Sequence, residues 1–316
     1  MINGLDFRRL RRSGLALGAF ALSATFLLPA VAPDAPAFIR TAIAEDTQKA
    51  DVSRVVSVGG AVTEIIYALG EEGRLVGRDS TSTYPEAAKT LPDVGYMRQL
   101  APEGIIAVNP SAIVAVEGSG PPEALAVLKE ANIAFTSVPE TFDKAGIPAK
   151  IRAVGAFLGV EDKAETLAKS VEADLDAAVA EGAARADSER KRVLFILSTQ
   201  GGKVMASGQG TAANGIIELA GAVNAVGTFP GYKALTDEAI VEAKPDVILM
   251  MDRGGEHAAK AEELFAMPAL SLTPAAQNKA LVRMDGLHLL GFGPRTASAV
   301  RELNAAIYGK KANASQ

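Results

Sequence analysis

The chain has 316 residues, of which 48% are hydrophobic and 22% are charged, and it contains no cysteine, no tryptophan and two histidines. This length allows two domains or one large domain. The formal net charge of −5 argues against nucleic acid or an anionic membrane as a partner. With no cysteine, and two histidines 31 positions apart in unlike sequence contexts, a zinc site is not expected.

The first 44 residues have the pattern of a secretory signal peptide. Four arginines lie between residues 8 and 12, an apolar run spans Gly14–Val31, and Ala42–Ala44 provides a small-residue cleavage site. At about 18 residues the run is near the length of a transmembrane anchor. However, it is rich in small residues and is interrupted by Pro29. We therefore predict that residues 1–44 are removed on export.

Export changes the charge and the predicted location of the protein. Removal of residues 1–44 takes away five basic and two acidic residues, so 27 basic and 35 acidic residues remain, a formal charge of −8. The absence of cysteine fits an oxidising compartment and leaves no site for a lipid-modified cysteine. We predict a periplasmic protein that is not a lipoprotein.

Strand-like and helical segments alternate through residues 45–142, which are predicted to form an N-terminal α/β lobe. The predicted strands are Val52–Val58, Leu75–Gly77, Ala112–Val116 and Ala134–Val138, and the predicted helices are Ala61–Leu69 and Pro121–Ala131. Gly70 marks the end of the first helix. This alternation predicts a parallel sheet with crossover helices.

Residues 143–190 are predicted to form a helical spine. Helical spacing of apolar residues leads up to a break at Gly159, and Glu161–Ala184 then has a strong helix composition without proline. Such a helix would be about 36 Å long. Its apolar residues recur every four positions, so that one face packs, at Leu167, Val171, Leu175 and Val179.

Residues 191–316 are predicted to form a C-terminal α/β lobe that resembles the first. It begins with the strand-like run Lys191–Leu197. Residues 103–116 align without a gap to residues 238–251, and residues 63–70 align similarly to residues 214–221. The predicted fold is α/β, with two Rossmann-like lobes of parallel-rich sheets joined by a single long helix. A ligand cleft is expected between the lobes.

Tyr84 is the most informative single residue because it lies in a polar, turn-prone loop directly after the strand-like segment Arg74–Arg78. Tyrosine is one of the few axial ligands that proteins use for haem iron. In the second half, Met251–Gly255 occupies the corresponding place beyond a strand. Tyr84 and Arg253 are therefore predicted to face each other across the cleft.

Four segments together resemble the periplasmic haem-binding proteins of bacterial haem ABC importers, a branch of the helix-linked, class III substrate-binding proteins. These segments are Thr81–Pro85, Leu91–Arg98, Glu117–Leu125 and Leu289–Arg295. The resemblance covers roughly residues 52–308. The Tyr84–Pro85 pair alone is also similar to cobalamin binders of this class, whereas the combination resembles the haem branch.

The resemblance implies that the transported ligand is haem, as ferric protoporphyrin IX, and that Tyr84 is its axial iron ligand, bound as phenolate. A free phenol ionises near pH 10, so ionisation at neutral pH needs help from the iron and from a neighbouring cation. Arg253 is the candidate cation; the alternative is a solvated loop arginine. His257 is a candidate second axial ligand on the opposite side of the iron.

Other parts of the ligand need other partners. Tyr96, Met97 and Arg98 are candidates for stacking on the macrocycle and for pairing with a propionate, or they form a surface turn. His288 lies in the apolar run Gly286–Leu290 and is predicted to be a packed histidine.

The resemblance also implies transport partners. Glu103 and Glu238 occupy the acidic positions that, in this class, dock into arginines of the membrane permease; as first-turn acids they also suit helix N-termini. The expected partners are haem, an inner-membrane ABC permease dimer with its ATPase, and an outer-membrane haem receptor system upstream. No nucleic-acid partner is expected, and the protein is predicted to be a monomer.

An enzyme and a carrier of another ligand are the two alternatives to a haem carrier. An enzyme is not supported, because no Gly-x-Ser-x-Gly nucleophile elbow occurs and the glycine-rich segment Gly208–Gly215 lacks the lysine of a phosphate-binding loop. The same fold could instead carry a ferric siderophore or cobalamin. A siderophore site would usually offer several converging arginines, and a cobalamin site more aromatic surface.

Overall fold

The computed structural model describes residues 51–131, 133–183, 185–252 and 260–309. Within these ranges the strands are β1 (Val55–Val58), β2 (Leu75–Arg78), β3 (Gly95–Tyr96), β4 (Gln99–Leu100), β5 (Ala112–Val116), β6 (Ala134–Val138), β7 (Arg192–Ser198), β8 (Met205–Ser207), β9 (Val223–Asn224), β10 (Tyr232–Ala234), β11 (Val247–Asp252) and β12 (Leu281–Asp285). The helices are α1 (Gly60–Ala68), α2 (Pro102–Ala107), α3 (Pro122–Glu130), α4 (Gly146–Leu158), α5 (Glu161–Ala183), α6 (Ala212–Leu219), α7 (Asp237–Ala243), α8 (Ala261–Phe265), α9 (Pro268–Ser271), α10 (Pro274–Gln277), α11 (Gly286–Leu290) and α12 (Thr296–Tyr308). Of the helices in the described ranges, none combines the length and the apolar character that a membrane span requires.

The first lobe is built on a parallel sheet with the strand order β2-β1-β5-β6. Every residue of β1 and β5 is buried, which explains their continuous apolar sequences. The predicted bounds of β5 and β6 are confirmed. Strand β1 begins three residues later than predicted because Asp51 accepts a hydrogen bond from the Ser53 backbone N–H (2.9 Å), which turns the chain before the strand.

The second lobe contains a mixed sheet with the order β10-β8-β7-β11-β12, and β9 also pairs with β7. The pairs β7–β11, β11–β12 and β7–β9 are parallel, whereas β8 pairs antiparallel with both β7 and β10. The predicted α/β class with parallel-rich sheets in two lobes is thus confirmed.

The internal repeat that the sequence predicts is visible in the backbone. Helix α1 corresponds to α6, and the left-handed glycines that follow them, Gly70 and Gly221, have φ values of 71° and 74°. The unit of α2 and β5 corresponds to the unit of α7 and β11. Asn109 and Lys244, at equivalent positions between helix and strand, are both left-handed, with φ of 48° and 45°.

The segment between the lobes consists of α4 and the 23-residue helix α5, which pack side by side. The chain reverses at Gly159, whose φ of 70° is in the left-handed region. A Cβ at Gly155 would lie 2.1 Å from the Cβ of Ala164, so a larger residue would force the two helices apart. The predicted apolar stripe faces inwards, with Val171 and Leu175 buried.

A continuous hydrophobic core joins the two lobes to the spine. It includes Val114 of β5, Leu175 of α5, Phe195 of β7 and Leu303 of α12. Residues from Lys49 onwards accordingly form one compact unit. The lobes are therefore packed against a common support.

Candidate ligand-binding cleft

A cavity of about 390 Å³ lies between the two lobes. Tyr84 and Lys89 line it from the first lobe, and His288, Arg295 and Glu302 line it from the second. Ligands commonly bind in cavities of this size between domains. Another hollow, of about 590 Å³, lies between α1 and α5, and the side chains that line it include no arginine, histidine or aromatic residue. The interlobe cavity is thus the one that contains the predicted iron ligand.

The loop that carries Tyr84 is organised by the buried carboxylate of Asp79. This carboxylate accepts hydrogen bonds from the backbone N–H groups of Gly59 (2.9 Å) and Thr81 (3.0 Å). It also accepts from the hydroxyls of Thr81 and Ser82, both at 2.6 Å. Four bonds to one buried acceptor fix the backbone immediately before Tyr84.

Tyr84 itself presents its side chain to the cleft, with 43% of its surface exposed. One face of its ring is covered by Arg295, whose Cζ lies 3.6 Å from the ring centroid. This distance is typical of a close cation–π contact. The phenol is therefore backed by a cation from the opposite lobe while it stays open to a ligand.

Arg295 is held in place by residues from both lobes. Glu64 of α1, only 5% exposed, accepts from the Arg295 backbone N–H (3.2 Å) and from Nη2 (2.9 Å). Arg295 Nη1 donates to Nδ1 of His288 at 3.2 Å, since a guanidinium can only donate. Two bonds thus hold the stacked guanidinium, and one holds the backbone of Arg295.

The sequence context of His288 predicts a histidine packed among apolar side chains. In the structure it instead lies in the cavity wall and contacts polar side chains. Because Nδ1 accepts from Arg295, the ring proton lies on Nε2, which points to Glu302 at 3.3 Å. The apolar neighbour Leu289 enters the core instead. One helical position therefore separates a core residue from a residue of the cavity wall.

Tyr96, Met97 and Arg98 lie on the hairpin formed by β3 and β4. Tyr96 is 41% exposed, whereas Met97 is partly buried and packs against the core. Across the cleft, Tyr232 of β10 is half-exposed. The pKa of the Tyr232 phenol is raised, mainly by burial. Tyr96 adds to this rise, whereas Arg98 and the Ser207 hydroxyl oppose it. The hairpin of the first lobe and β10 of the second therefore lie close enough to interact.

Arg253 and His257, the predicted partners of the iron site in the second lobe, lie outside the described residues. The described part of β11 ends at Asp252, directly before them.

Glu103 and Glu238 are exposed first-turn residues of α2 and α7. The pKa of Glu238 is lowered, first by its own backbone N–H and then by the Thr236 hydroxyl. This is the behaviour of an acid at a helix N-terminus, as predicted. In both lobes the acid is followed by a buried isoleucine and then by an exposed aliphatic residue, Ile106 or Val241.

Comparison with known structures gives matches over most of the chain. The periplasmic haem-binding protein BhuT, in complex with two haems, is 40% identical, with 80% of this chain and 97% of that chain covered and a TM-score of 0.76. The apo form of the periplasmic haem-binding protein RhuT from Roseiflexus sp. RS-1 is 37% identical, with coverages of 82% and 98% and a TM-score of 0.77.

Comparison with curated proteins points to the same class. The uncharacterised ABC transporter substrate-binding lipoprotein YvrC of Bacillus subtilis (strain 168) is 29% identical, with 83% of this chain and 82% of YvrC covered. The vitamin B12-binding protein of Pectobacterium carotovorum subsp. carotovorum (strain PC1) is 25% identical, with coverages of 75% and 84%. Residues 55–286 also match the family model described as periplasmic binding protein. The chain therefore belongs to the periplasmic binding protein family.

Proposed function

We propose that this protein binds ferric haem in the periplasm and delivers it to an inner-membrane ABC haem importer, as part of iron acquisition. The observation that carries the proposal is the exposed Tyr84 phenol in the interlobe cavity, backed by a guanidinium. A phenolate oxygen is a suitable ligand for hard ferric iron. Capture and release require no catalytic step, so the protein is proposed to act as a carrier.

The rest of the cleft fits a planar, amphiphilic ligand. Tyr96 and Tyr232 provide exposed aromatic surface on opposite lobes. Arg98 and Lys89 provide cations for two propionates. We retain Arg253 as a candidate partner of the phenolate and His257 as a candidate second axial ligand.

The comparisons support haem over the alternatives. BhuT and RhuT, two haem-binding proteins, share 40% and 37% of their aligned residues with this chain. The relatives that bind vitamin B12 support the second candidate function, transport of cobalamin, at lower identity. A ferric siderophore is the third possibility for the same fold.

The decisive experiment is a haemin titration of residues 45–316, followed in the Soret and visible bands, for the parent and for Tyr84→Phe. The expected parent result is saturable binding with a ferric tyrosinate spectrum. In Tyr84→Phe this spectrum should be lost and the affinity reduced. Tyr308→Phe is the matched control, since Tyr308 also has an arginine 3.6 Å from its ring but lies at the end of α12.

Each outcome has a distinct meaning. Saturable binding that Tyr84→Phe leaves unchanged would keep haem as the ligand and move the iron ligand, with His257 as the next residue to test. Absence of saturable haemin binding would refute the proposal. Titrations with cyanocobalamin and with a ferric siderophore would then separate the two remaining candidates.

For delivery, we propose that the permease dimer docks on one patch of each lobe, formed by Glu103 with Ile106 and by Glu238 with Val241. Each patch combines an exposed carboxylate with an aliphatic side chain one turn later, at 43% exposure for Ile106 and 36% for Val241. Because the two patches are repeat-equivalent, they suit a two-fold symmetric partner with basic and apolar groups.

The docking proposal can be tested apart from ligand binding. Glu103→Lys and Glu238→Lys should leave the haemin titration unchanged and abolish stimulation of the ATPase of the reconstituted haem importer. Glu172→Lys, an exposed charge change on α5, is the control. Unaltered stimulation in the double variant would refute docking at these residues.

Export is proposed to remove residues 1–44 and to leave a free monomer in the periplasm. YvrC is a lipoprotein, but this chain has no cysteine to carry a lipid. An outer-membrane haem receptor system is the proposed source of the ligand. The mass of the exported protein would test the cleavage site, and its sedimentation would test the oligomeric state.

A further inference from the structure

Arg295 contacts the ring of the proposed iron ligand. Its Cζ lies 3.6 Å from the centroid of the Tyr84 ring. The contact joins the two lobes, since Tyr84 follows β2 and Arg295 precedes α12. A residue that covers one ring face decides which face and edge of the phenol a ligand can approach.

Specific hydrogen bonds hold the Arg295 side chain over the Tyr84 ring. Glu64, itself buried, accepts two hydrogen bonds from Arg295, and His288 accepts a third. His288 is in turn oriented by Glu302 at 3.3 Å. Most exposed arginines lose their long side-chain freedom only at an entropic cost. Here two bonds, to Glu64 and to His288, hold the guanidinium flat against the ring before any ligand arrives, and a third bond to Glu64 holds the Arg295 backbone.

One physical effect follows for the iron ligand. The stacked guanidinium limits rotation of the Tyr84 ring, so that the phenol oxygen is directed into the cavity in one orientation. The Glu64 carboxylate, 2.9 Å from Nη2, compensates part of the charge of Arg295. The contribution that the geometry supports is therefore orientation of the ring.

We propose that Arg295 is a positioning residue for the iron ligand, acting through the Tyr84 ring and held by Glu64 and His288. The proposal rests on haem binding through Tyr84 as proposed above. It differs from a role as a propionate partner, in which Arg295 would bind haem directly and independently of Tyr84.

The molecule contains a matched control for this contact. Arg185 lies over the ring of Tyr308 at the same distance, 3.6 Å from its centroid. Arg185 also donates to a side chain, Asn304, at 3.3 Å. Arg185→Leu therefore removes an equivalent cation–π pair in a part of the molecule that does not line the cleft.

The test compares Arg295→Leu, Arg295→Lys and Arg185→Leu in the purified protein by haemin titration, resonance Raman spectroscopy and thermal unfolding. Arg295→Leu should weaken haemin binding about tenfold and reduce the iron–tyrosinate bands. Arg295→Lys should recover part of the affinity, because it restores the charge without the planar stack. Arg185→Leu should bind haemin like the parent.

A double-variant cycle decides between the two roles. In the Tyr84→Phe background, Arg295→Leu should change haemin affinity much less than in the parent, since its effect passes through the phenolate. An equal loss in both backgrounds would overturn the proposal in favour of direct contact with the ligand. Parent-like Raman bands and affinity in Arg295→Leu would overturn it outright.

Failure of this inference is distinguishable from failure of haem binding. If the parent protein does not bind haemin, the proposed function itself fails. If Tyr84→Phe keeps the tyrosinate spectrum, haem remains the ligand but Tyr84 is not the iron ligand, and the premise of this inference fails. If Arg295→Leu lowers the unfolding temperature far more than Arg185→Leu does, Arg295→Lys and Glu64→Gln serve as milder variants. Both should then weaken the tyrosinate signal in the folded protein, and an unchanged signal in both would overturn the proposal.

Discussion

Lys150 offers the sharpest test of how the spine supports the cleft. It lies on α4, and its side chain is fully buried. Its ammonium group donates to Glu140 at 2.5 Å and to the backbone carbonyls of Phe292 (3.1 Å) and Gly291 (3.4 Å). One cation therefore joins the spine to the end of β6 and to the loop that leads to Arg295.

Replacement of Lys150 by methionine keeps the volume and removes the charge. The Glu140 carboxylate, 17% exposed, then loses its cation, and two carbonyls lose their donor. Removing one partner of a buried ion pair costs about 3–5 kcal/mol, and the methionine offsets little of this. For a chain of this size we expect a fall of about 10 °C in the unfolding temperature.

The loss of stability in Lys150→Met should depend on pH. Burial, the largest influence on Glu140, raises its pKa, and in the parent the charge of Lys150 opposes this effect. In Lys150→Met the charge of Lys150 no longer lowers the pKa of Glu140. The Glu140 carboxyl therefore binds its proton more tightly in the folded than in the unfolded protein. Such a group stabilises the fold at low pH and loses that contribution as the pH rises through its folded pKa. The deficit should therefore be largest near neutral pH and shrink towards about pH 5.

Thermal and urea unfolding of the parent, of Lys150→Met and of Lys150→Met with Glu140→Gln will measure these effects. The double variant should recover more than half of the loss, since no unpaired charge remains. Lys144→Met is the matched control: Lys144 pairs with Asp176 at 2.6 Å, but both side chains are half-exposed, so no measurable change is expected. Parent-like stability of Lys150→Met, or a deficit that persists unchanged at acidic pH, would refute this reasoning.

Three further predictions concern the cleft. Asp79→Ala removes the acceptor of four hydrogen bonds, so we expect a loss of about 2–3 kcal/mol in unfolding free energy and weaker haemin binding, measured by urea unfolding and by titration. Unchanged binding would show that the Tyr84 loop does not need this anchor. Tyr232→Ala should weaken haemin binding about fivefold and Tyr232→Phe should not, because the ring face and not the hydroxyl is the proposed contact; equal losses would assign the role to the hydroxyl. Small-angle scattering should show a change in radius of gyration below about 1 Å on haemin binding, and a large contraction would contradict a preformed cleft.

The local features of the fold follow from the sequence because their causes are local. Strands β5 and β6 have the predicted bounds. Strand β5 is a fully buried apolar run, whereas β6 is a short, partly exposed strand at the edge of the sheet. The break at Gly159 and the left-handed caps at Gly70 and Gly221 were predictable because few other residues adopt that conformation readily. The repeat was detectable because the same helix–turn–strand unit occurs in both lobes.

The contacts that define the cleft could not be predicted in the same way. Glu64 and Arg295 are 231 positions apart, and no local pattern connects them. Arg295 is the last residue of Leu289–Arg295, one of the four segments that resemble the haem-binding proteins, but nothing in that segment predicts that its side chain stacks on Tyr84. The role of Asp79 is easier to predict from the sequence, since an aspartate followed by serine and threonine after a strand is a common turn signal.

The polar contacts between the lobes explain why a preformed cleft suits a carrier. Opening the lobes would separate the buried carboxylate of Glu64 from Arg295 and leave it without its cation. It would also take the Phe292 carbonyl away from Lys150, which would keep Glu140 as its partner. The cleft is therefore held near one geometry, and little binding energy is lost in closing it around a ligand. If the permease docks as proposed, at Glu103 on the first lobe and at Glu238 on the second, it contacts both lobes. We therefore propose that it releases the ligand by distorting both.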